Sequence, residues 1–220
     1  MGYVPMGKTG CSTPERILTA AYELFAERGF DGATTQEICS RANANIAAVN
    51  YHYGSKENLY RAVWEHGNER ALRLWEERAQ EDAPVEEKLR QFIELRVTAA
   101  LSEGEDSFFS RLIHREFSNP SPLHKELHER FLRPKRQWFM ELIREIVGED
   151  VSDQVARLAG FCIHSPLIHL IEMQSHRKSP PHSGSGRGPA RDPKALADTL
   201  YMFALAGLKE LRSRHGEIAQ

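Results

Sequence analysis

At 220 residues, 40% hydrophobic and 27% charged, with a formal net charge of −2, the chain has the make-up of a globular protein of one large or two small domains and is neither disordered nor collagen-like. Folding at this length buries roughly 70% of the unfolded surface, so a core needs no disulfide or structural metal; three cysteines (Cys11, Cys39, Cys162) without a C-x-x-C pair exclude a disulfide framework and a zinc ribbon and fit a cytoplasmic setting. A balance of 29 basic against 31 acidic residues gives no global sign of nucleic-acid binding, and no apolar run makes a membrane span or a signal peptide, so no membrane partner is expected.

Residues 1–12 (MGYVPMGKTGCS) lack apolar periodicity and read as a flexible arm. Thr13 is then a candidate N-cap, Pro14 suits the first helical position and Glu15 complements the helix dipole. Ile17, Leu18, Ala21, Leu24 and Phe25 recur at helical spacing up to Gly29, a helix-ending residue. Thr34-Thr35-Gln36-Glu37 has the spacing of a capping box and opens a second helix that buries Ile38, Cys39 and Ala42. Only Asn43 and Ala44 separate it from the next candidate cap, Asn45, so two short helices must cross abruptly; the third runs from Ile46 to about His52. Gly54 stops it, and Ser55 caps a fourth helix that continues to about Gln80.

Beyond Pro84, Val85, Leu89, Phe92, Ile93, Val97 and Ala100 form one helical stripe, and Phe108, Phe109, Leu112 and Ile113 begin another. Asn119-Pro120-Ser121-Pro122 breaks the chain before a long helix from Leu123 to Val147, bent at Pro134 and closed by Gly148. Two last helices are expected from Val151 to about Gln174, interrupted by Pro166, and from Pro193 to about Arg214, joined by a mobile linker at 179–192 (SPPHSGSGRGPARD). Period-two alternation is absent. The reading is an all-α chain of about nine helices: a three-helix unit at 13–60, with close-set short helices at 34–53, and a larger helical part at 61–220.

The close-set helices at 34–53 carry the informative chemistry. A short helix, a tight turn and a second short helix form the arrangement that presents one helix to a DNA major groove, although a generic helical hairpin has the same spacing. Composition separates the two. The third helix offers Asn45, Asn50, Tyr51, His52 and Tyr53 beside the small Ala47 and Ala48, hydrogen-bonding groups with little bulk, where a face built for solubility would carry Glu and Lys.

Thr13-Pro14-Glu15-Arg16-Ile17-Leu18, Ala20-Ala21, the run LFAERGFDGATT from Leu24 to Thr35, Ile38, and VNYHYGSKENLY from Val49 to Tyr60 resemble the amino-terminal domain of TetR-family transcriptional regulators. The resemblance implies an all-helical homodimer with a three-helix helix-turn-helix DNA-binding domain at 13–60, its helix-turn-helix at 34–53, and a larger helical ligand-binding and dimerisation domain at 61–220; it binds an inverted-repeat operator in double-stranded DNA, usually as a repressor released by a small molecule. It places Thr35 and Gln36 on phosphate or bases, Ala47, Ala48 and Asn50 toward base edges, Tyr51 and His52 toward the backbone or base methyls, and Lys56 on a phosphate, with Asn45 at the exposed start of the same helix. Asn50 leads for direct readout, because a carboxamide pairs bidentately with adenine. Tyr53 is expected to pack inside. The family's turn usually holds Gly-Val followed by Ser or Thr; here it is Asn43-Ala44-Asn45. Residues 1–64 hold six basic side chains (Lys8, Arg16, Arg28, Arg41, Lys56, Arg61) and six acidic ones (Glu15, Glu23, Glu27, Asp31, Glu37, Glu57), so a shallow salt dependence is expected.

Residues 84–215 contain no nucleophile elbow, phosphate loop or paired-carboxylate set, so neither catalysis nor a cofactor is expected. The enzymatic rival is a small helical hydrolase using His114 or His164; the other rival is a helical adaptor with a vestigial amino-terminal domain. His124 and His128 have two-histidine metal spacing but lack a third ligand, so a solvated face is expected and no metal. His164 and His169 read as hydrogen-bonded core residues, with a place in a pocket as the alternative. The segment FSRLIHREFSNPSP from Phe109 to Pro122 and the helices after it are similar to the carboxy-terminal domain of the CecR-like subgroup. That likeness implies a dimer formed by the last two helices, with Phe161, Leu167, Ile171, Leu200, Phe203, Ala204, Gly207, Leu208 and Leu211 as candidate interface, unless they serve the monomer core alone. Trp64, Trp75, Phe92, Phe108, His114, Phe117 and Trp138 are candidate lining for an effector pocket, a role aromatic residues share with an ordinary core; a hydrophobic or aromatic ligand fits them better than a polyanion.

Overall fold

The computed structural model describes residues 12–78, 82–102, 104–176 and 192–218. The expected arm (Ser12 excepted), the linker (Asp192 excepted) and the helix end near Gln80 lie outside the described residues. Among the described residues the chain is all-α: α1 (Thr13–Gly32), α2 (Thr35–Ala42), α3 (Ile46–Tyr53), α4 (Lys56–Glu76), α5 (Val85–Leu101), α6 (Glu105–Ser118), α7 (His124–Leu127, a π turn at His128–Leu132, then Arg133–Val147), α8 (Asp153–His176) and α9 (Pro193–Ile218). No helix among them is long and apolar enough to cross a membrane.

Local chemistry accounts for these boundaries. Ser12, not Thr13, caps α1: its N–H and hydroxyl both donate to the Glu15 carboxylate, at 2.7 and 2.8 Å. The N-cap therefore lies one residue earlier than expected, and Pro14 takes the second helical position, where its missing N–H is equally harmless. Gly29 breaks the helical path of α1 with a φ of +74°. The long helix α7 meets Pro134 by widening into a π turn just before it, which accommodates a ring that would otherwise clash with the preceding turn. In contrast, α8 passes through Pro166 as one helix and is not interrupted.

Two apolar clusters form the interior. The first joins Ile17, Leu24 and Phe25 of α1, Ile38 of α2, Val49 of α3 and Leu59, Tyr60 and Trp64 of α4 to Phe109 and Leu112 of α6 and Leu127 of α7. The second joins Leu89, Ile93 and Val97 of α5, Ile143 and Ile146 of α7, Leu167 and Ile171 of α8 and Leu208 of α9. Helix α7 thus enters the first cluster with its opening turns and the second with its closing turns. Gly67 lets α4 approach closely, since a Cβ there would stand 2.5 Å from Cδ2 of Phe109 and 2.9 Å from the Tyr22 hydroxyl.

A buried carboxylate fastens the junction. Glu116 on α6, 1% exposed, accepts hydrogen bonds from the Tyr60 hydroxyl of α4 at 2.7 Å and from the Ser121 N–H and hydroxyl at 2.9 Å each. Nδ1 of His124, at the start of α7, lies 3.2 Å from the same group. One charge buried this deeply is stable because its lone pairs are occupied.

Candidate nucleic-acid interface

Helix α3 is held from beneath by few contacts. Val49 is its buried residue, Tyr53 is half-buried and donates its hydroxyl to the Pro14 carbonyl at 2.8 Å, and Ala48 packs partly against the core. Ala47, Asn50, Tyr51 and His52 stand exposed, with the Tyr51 ring 85% accessible and edge-on to His52 at 4.9 Å.

The turn before α3 answers the departure from the family pattern. Asn43 takes the left-handed conformation (φ +49°, ψ +52°) that a glycine usually supplies, and its N–H reaches the Ser40 carbonyl at 3.3 Å. Asn45 does the work of the usual Ser or Thr: its Oδ1 accepts from the Ala48 N–H at 2.7 Å. That carbonyl oxygen is engaged in capping, which leaves the Asn45 amide NH2 as its outward group. Thr34 and Glu37 cap α2 reciprocally: the Glu37 N–H donates to Thr34 Oγ1 at 3.2 Å, and the Thr34 hydroxyl and N–H donate to the Glu37 carboxylate at 2.8 and 3.1 Å, which, with Arg28 at 2.5 Å, hold that carboxyl down at about 2.

Asn45, Ala47, Ala48, Tyr51 and His52 line one open cleft of about 670 Å³, together with Thr13 and Arg16 of α1 and the turn residues Asn43 and Ala44. Arg16 was not singled out from the sequence. Its Nε donates to the Ala42 carbonyl at 3.1 Å, so it fixes the end of α2 and the turn that aims α3. Thr35 is half-buried at the first position of α2, Gln36 is exposed beside it, and neither they nor Asn50 and Lys56 line that cleft.

The cations of this unit are mostly engaged. Arg28 pairs with Glu37, Arg41 with Glu23 and Glu27, and Arg61 with Glu126 of α7. Lys56 differs: its ammonium lies over the Phe30 ring, 4.3 Å from the centroid, and among the described residues no carboxylate pairs with it. A phosphate near the start of α4 would find this charge available.

The carboxy-terminal candidates divide. Trp64 and Phe108 are core residues, Trp64 wholly buried against Tyr60, Phe109 and Phe131, and Phe117 is 56% exposed, so none of the three walls a pocket. His114 is half-buried, apart from them. Trp75, Trp138 and Phe92 do meet: Trp138 lies edge-on to Trp75 at 4.9 Å and 5.9 Å from Phe92, which stacks on Phe139 at 4.7 Å. His164 sits against both Phe92 and Phe139, at 6.0 and 5.4 Å, packed by rings, and among the described residues it lacks the expected hydrogen bond; His169 is exposed.

Of the interface candidates, Leu167, Ile171 and Leu208 face the monomer's own core, each at most 4% exposed, because both helices are apolar on more than one side. Leu200, Ala204 and Leu211 pack partly against that core. Phe161 and Phe203 stand 69% and 75% exposed, Gly207 is exposed, and Leu158, Ile168 and Met202 join them on the outer face of α8 and α9.

A small three-helix unit that turns the second helix of a helix-turn-helix outward, set on a larger helical body, is the architecture of a DNA-binding transcriptional regulator. Residues 17–63 match the model of the bacterial regulatory proteins of the tetR family, and residues 85–208 match that of the CecR carboxy-terminal domain. The chain belongs to the TetR family, in the subgroup with a CecR-type carboxy-terminal domain. It is 30% identical over 160 residues to the HTH-type transcriptional dual regulator CecR of Shigella flexneri, covering 66% of this chain and 69% of that protein. The fold matches that of AibR, solved with isovaleryl coenzyme A and operator DNA (TM-score 0.64, 16% identity, 87% of this chain and 97% of that one). It likewise matches FadR of Bacillus subtilis, solved with stearoyl-CoA (TM-score 0.63, 16% identity, 87% and 97%). The family and these relatives are transcriptional regulators, not enzymes.

Proposed function

We propose that this chain is a cytoplasmic homodimeric repressor that inserts α3 of each subunit into successive major grooves of an inverted-repeat operator and is released by a small ligand held in the helical body. The observation that carries the reading is the outward face of α3: Ala47, Asn50, Tyr51 and His52 expose hydrogen-bonding groups and little bulk on a helix whose buried residue is Val49 alone. Asn50 reads a base, Lys56 meets a phosphate, and Thr35 and Gln36 meet the backbone at the start of α2.

The dimer is supported by a surface that water does not favour. Among the described residues, Leu158, Phe161, Ile168, Met202 and Phe203 are five of the nine large apolar side chains that stand exposed, and all five lie on α8 and α9. An apolar patch of that kind is what a second copy covers. Release follows from geometry: a duplex accepts one separation of the two α3 helices, and a ligand that prefers another lowers operator affinity by its differential binding. The route is the Tyr60–Glu116 hydrogen bond, which couples α4, starting beside α3, to the α6–α7 corner of the body. That AibR and FadR hold acyl-coenzyme A ligands in the same fold supports a ligand site here.

A mobility-shift titration on the DNA flanking the coding sequence tests this. The wild-type chain forms one retarded complex with two subunits per duplex, and the Asn50→Ala, Lys56→Ala double variant binds about tenfold or more weakly. A fragment bound equally well by both proteins contradicts the reading.

A further inference from the structure

Among the described residues, the helical body holds two inward-set cations without a carboxylate partner. On α5, Arg96 follows Phe92 by one helical turn and so shares its inward face; its Nε is sealed from solvent with no hydrogen-bond acceptor, while the residue as a whole keeps some surface. On α7, Lys135 precedes Trp138 by one turn; its ammonium donates to Oδ1 of Asn68 at 2.6 Å and lies over the Phe109 ring at 4.7 Å. Among the described residues neither cation has a carboxylate partner. Burial first, and then the neighbouring Arg96 charge, bring Lys135 down to about 8 and His164 of α8 down to about 4. Arg96 is therefore within electrostatic reach of both Lys135 and His164, and at neutral pH Lys135 carries charge while His164 is neutral.

Proteins ordinarily offset a desolvated cation with a counter-charge. Arg111 on α6, whose Nε is sealed in the same way, has the Glu27 carboxylate within range. Among the described residues Arg96 and Lys135 have no such partner, and the wall beside them is aromatic: Phe92, Trp138 and Phe139 lie within 6 Å of one another or of His164. A guanidinium fork and an ammonium against an apolar wall suit a ligand with an anionic head and a hydrophobic body.

We propose that Arg96 and Lys135 are the anion-binding end of the effector site, and that the effector is an organic carboxylate with an apolar body. This narrows the hydrophobic ligand expected from the sequence to an amphipathic anion, and it rests on the reading of the body as an effector domain. The carboxylate supplies the acceptor that Arg96 Nε lacks, and its tail lies along the Phe92 and Trp138 rings.

The test is a calorimetric titration of the full chain with decanoate and 2-naphthoate, each against its neutral alcohol, 1-decanol and 2-naphthylmethanol. At least one acid binds about tenfold or more tightly than its alcohol. Arg96→Met and Lys135→Met each abolish that preference, whereas Arg96→Lys retains part of it. Free of ligand, Arg96→Met melts at or above the wild-type temperature, because an unpaired buried charge has been removed. Acids that bind no better than their alcohols, a preference that survives both methionine variants, or an Arg96→Met chain that melts well below wild type would each overturn the proposal. Operator gel shifts with the same compounds separate the two claims. An acid that binds with the stated preference yet leaves operator affinity unchanged ends the release mechanism and keeps the anion site; operator release by the alcohols alone does the reverse.

Discussion

Two charges buried in this molecule are treated in opposite ways. At the junction between the helix-turn-helix unit and the body, Glu116 has Tyr60, both donors of Ser121 and Nδ1 of His124 around it. In the body, Nε of Arg96 has no hydrogen-bond acceptor among the described residues. The first charge is finished by the chain itself and serves to join two parts; the second is unfinished and awaits something from outside. Completeness of hydrogen bonding, more than burial, separates a fastening from a binding site.

The comparison breaks most visibly at Glu116. Replacing it with Ala strands the Tyr60 hydroxyl and the Ser121 N–H, and urea unfolding should show a loss of about 3 kcal/mol. Unchanged stability there would mean that the junction is held by packing alone. Next comes Gly67→Ala, which drives a methyl into the Phe109 ring and should lower stability by about 2 kcal/mol in the same measurement, because that ring is hemmed in by Trp64. Arg96→Met should move the other way, raising the stability of the ligand-free chain by about 1 kcal/mol.

The smallest effect concerns an exposed carboxylate that is also fully partnered. Glu37 sits at about 2 in the folded chain against 4.5 unfolded, so its contribution is present above pH 4.5 and disappears as pH falls toward 2. Wild-type stability should drop more steeply across that interval than that of Glu37→Gln; parallel curves would show that the capping box does not hold the carboxylate as described.

The helix-turn-helix was legible because its signals are local. Thr34 with Glu37, Asn43 in the left-handed turn, Asn45 at the α3 cap and Gly54 before Ser55 each act within four residues of themselves, and each performs in the structure the task its chemistry suggests. Ser12 and Thr13 are adjacent hydroxyl residues, so spacing alone did not decide between them. The body was harder because α8 and α9 are apolar on several sides: periodicity finds Phe161 and Leu167 equally and cannot say which one looks outward. Arg96 was missed because a search for apolar stripes passes over a cation standing on one. The signal was present, in that Arg96 follows Phe92 by four and Ile93 by three and so lies on the face the stripe buries.

A footprint on the inverted repeat nearest the coding sequence, made with the wild-type chain and with Asn50→Ala, reaches the central claim most directly. Two protected stretches related by the dyad and about one helical turn apart, both weakened by Asn50→Ala while the melting temperature stays put, are the predicted result. A single patch without a dyad, or protection that Asn50→Ala leaves intact, would contradict the placement of α3 in the groove.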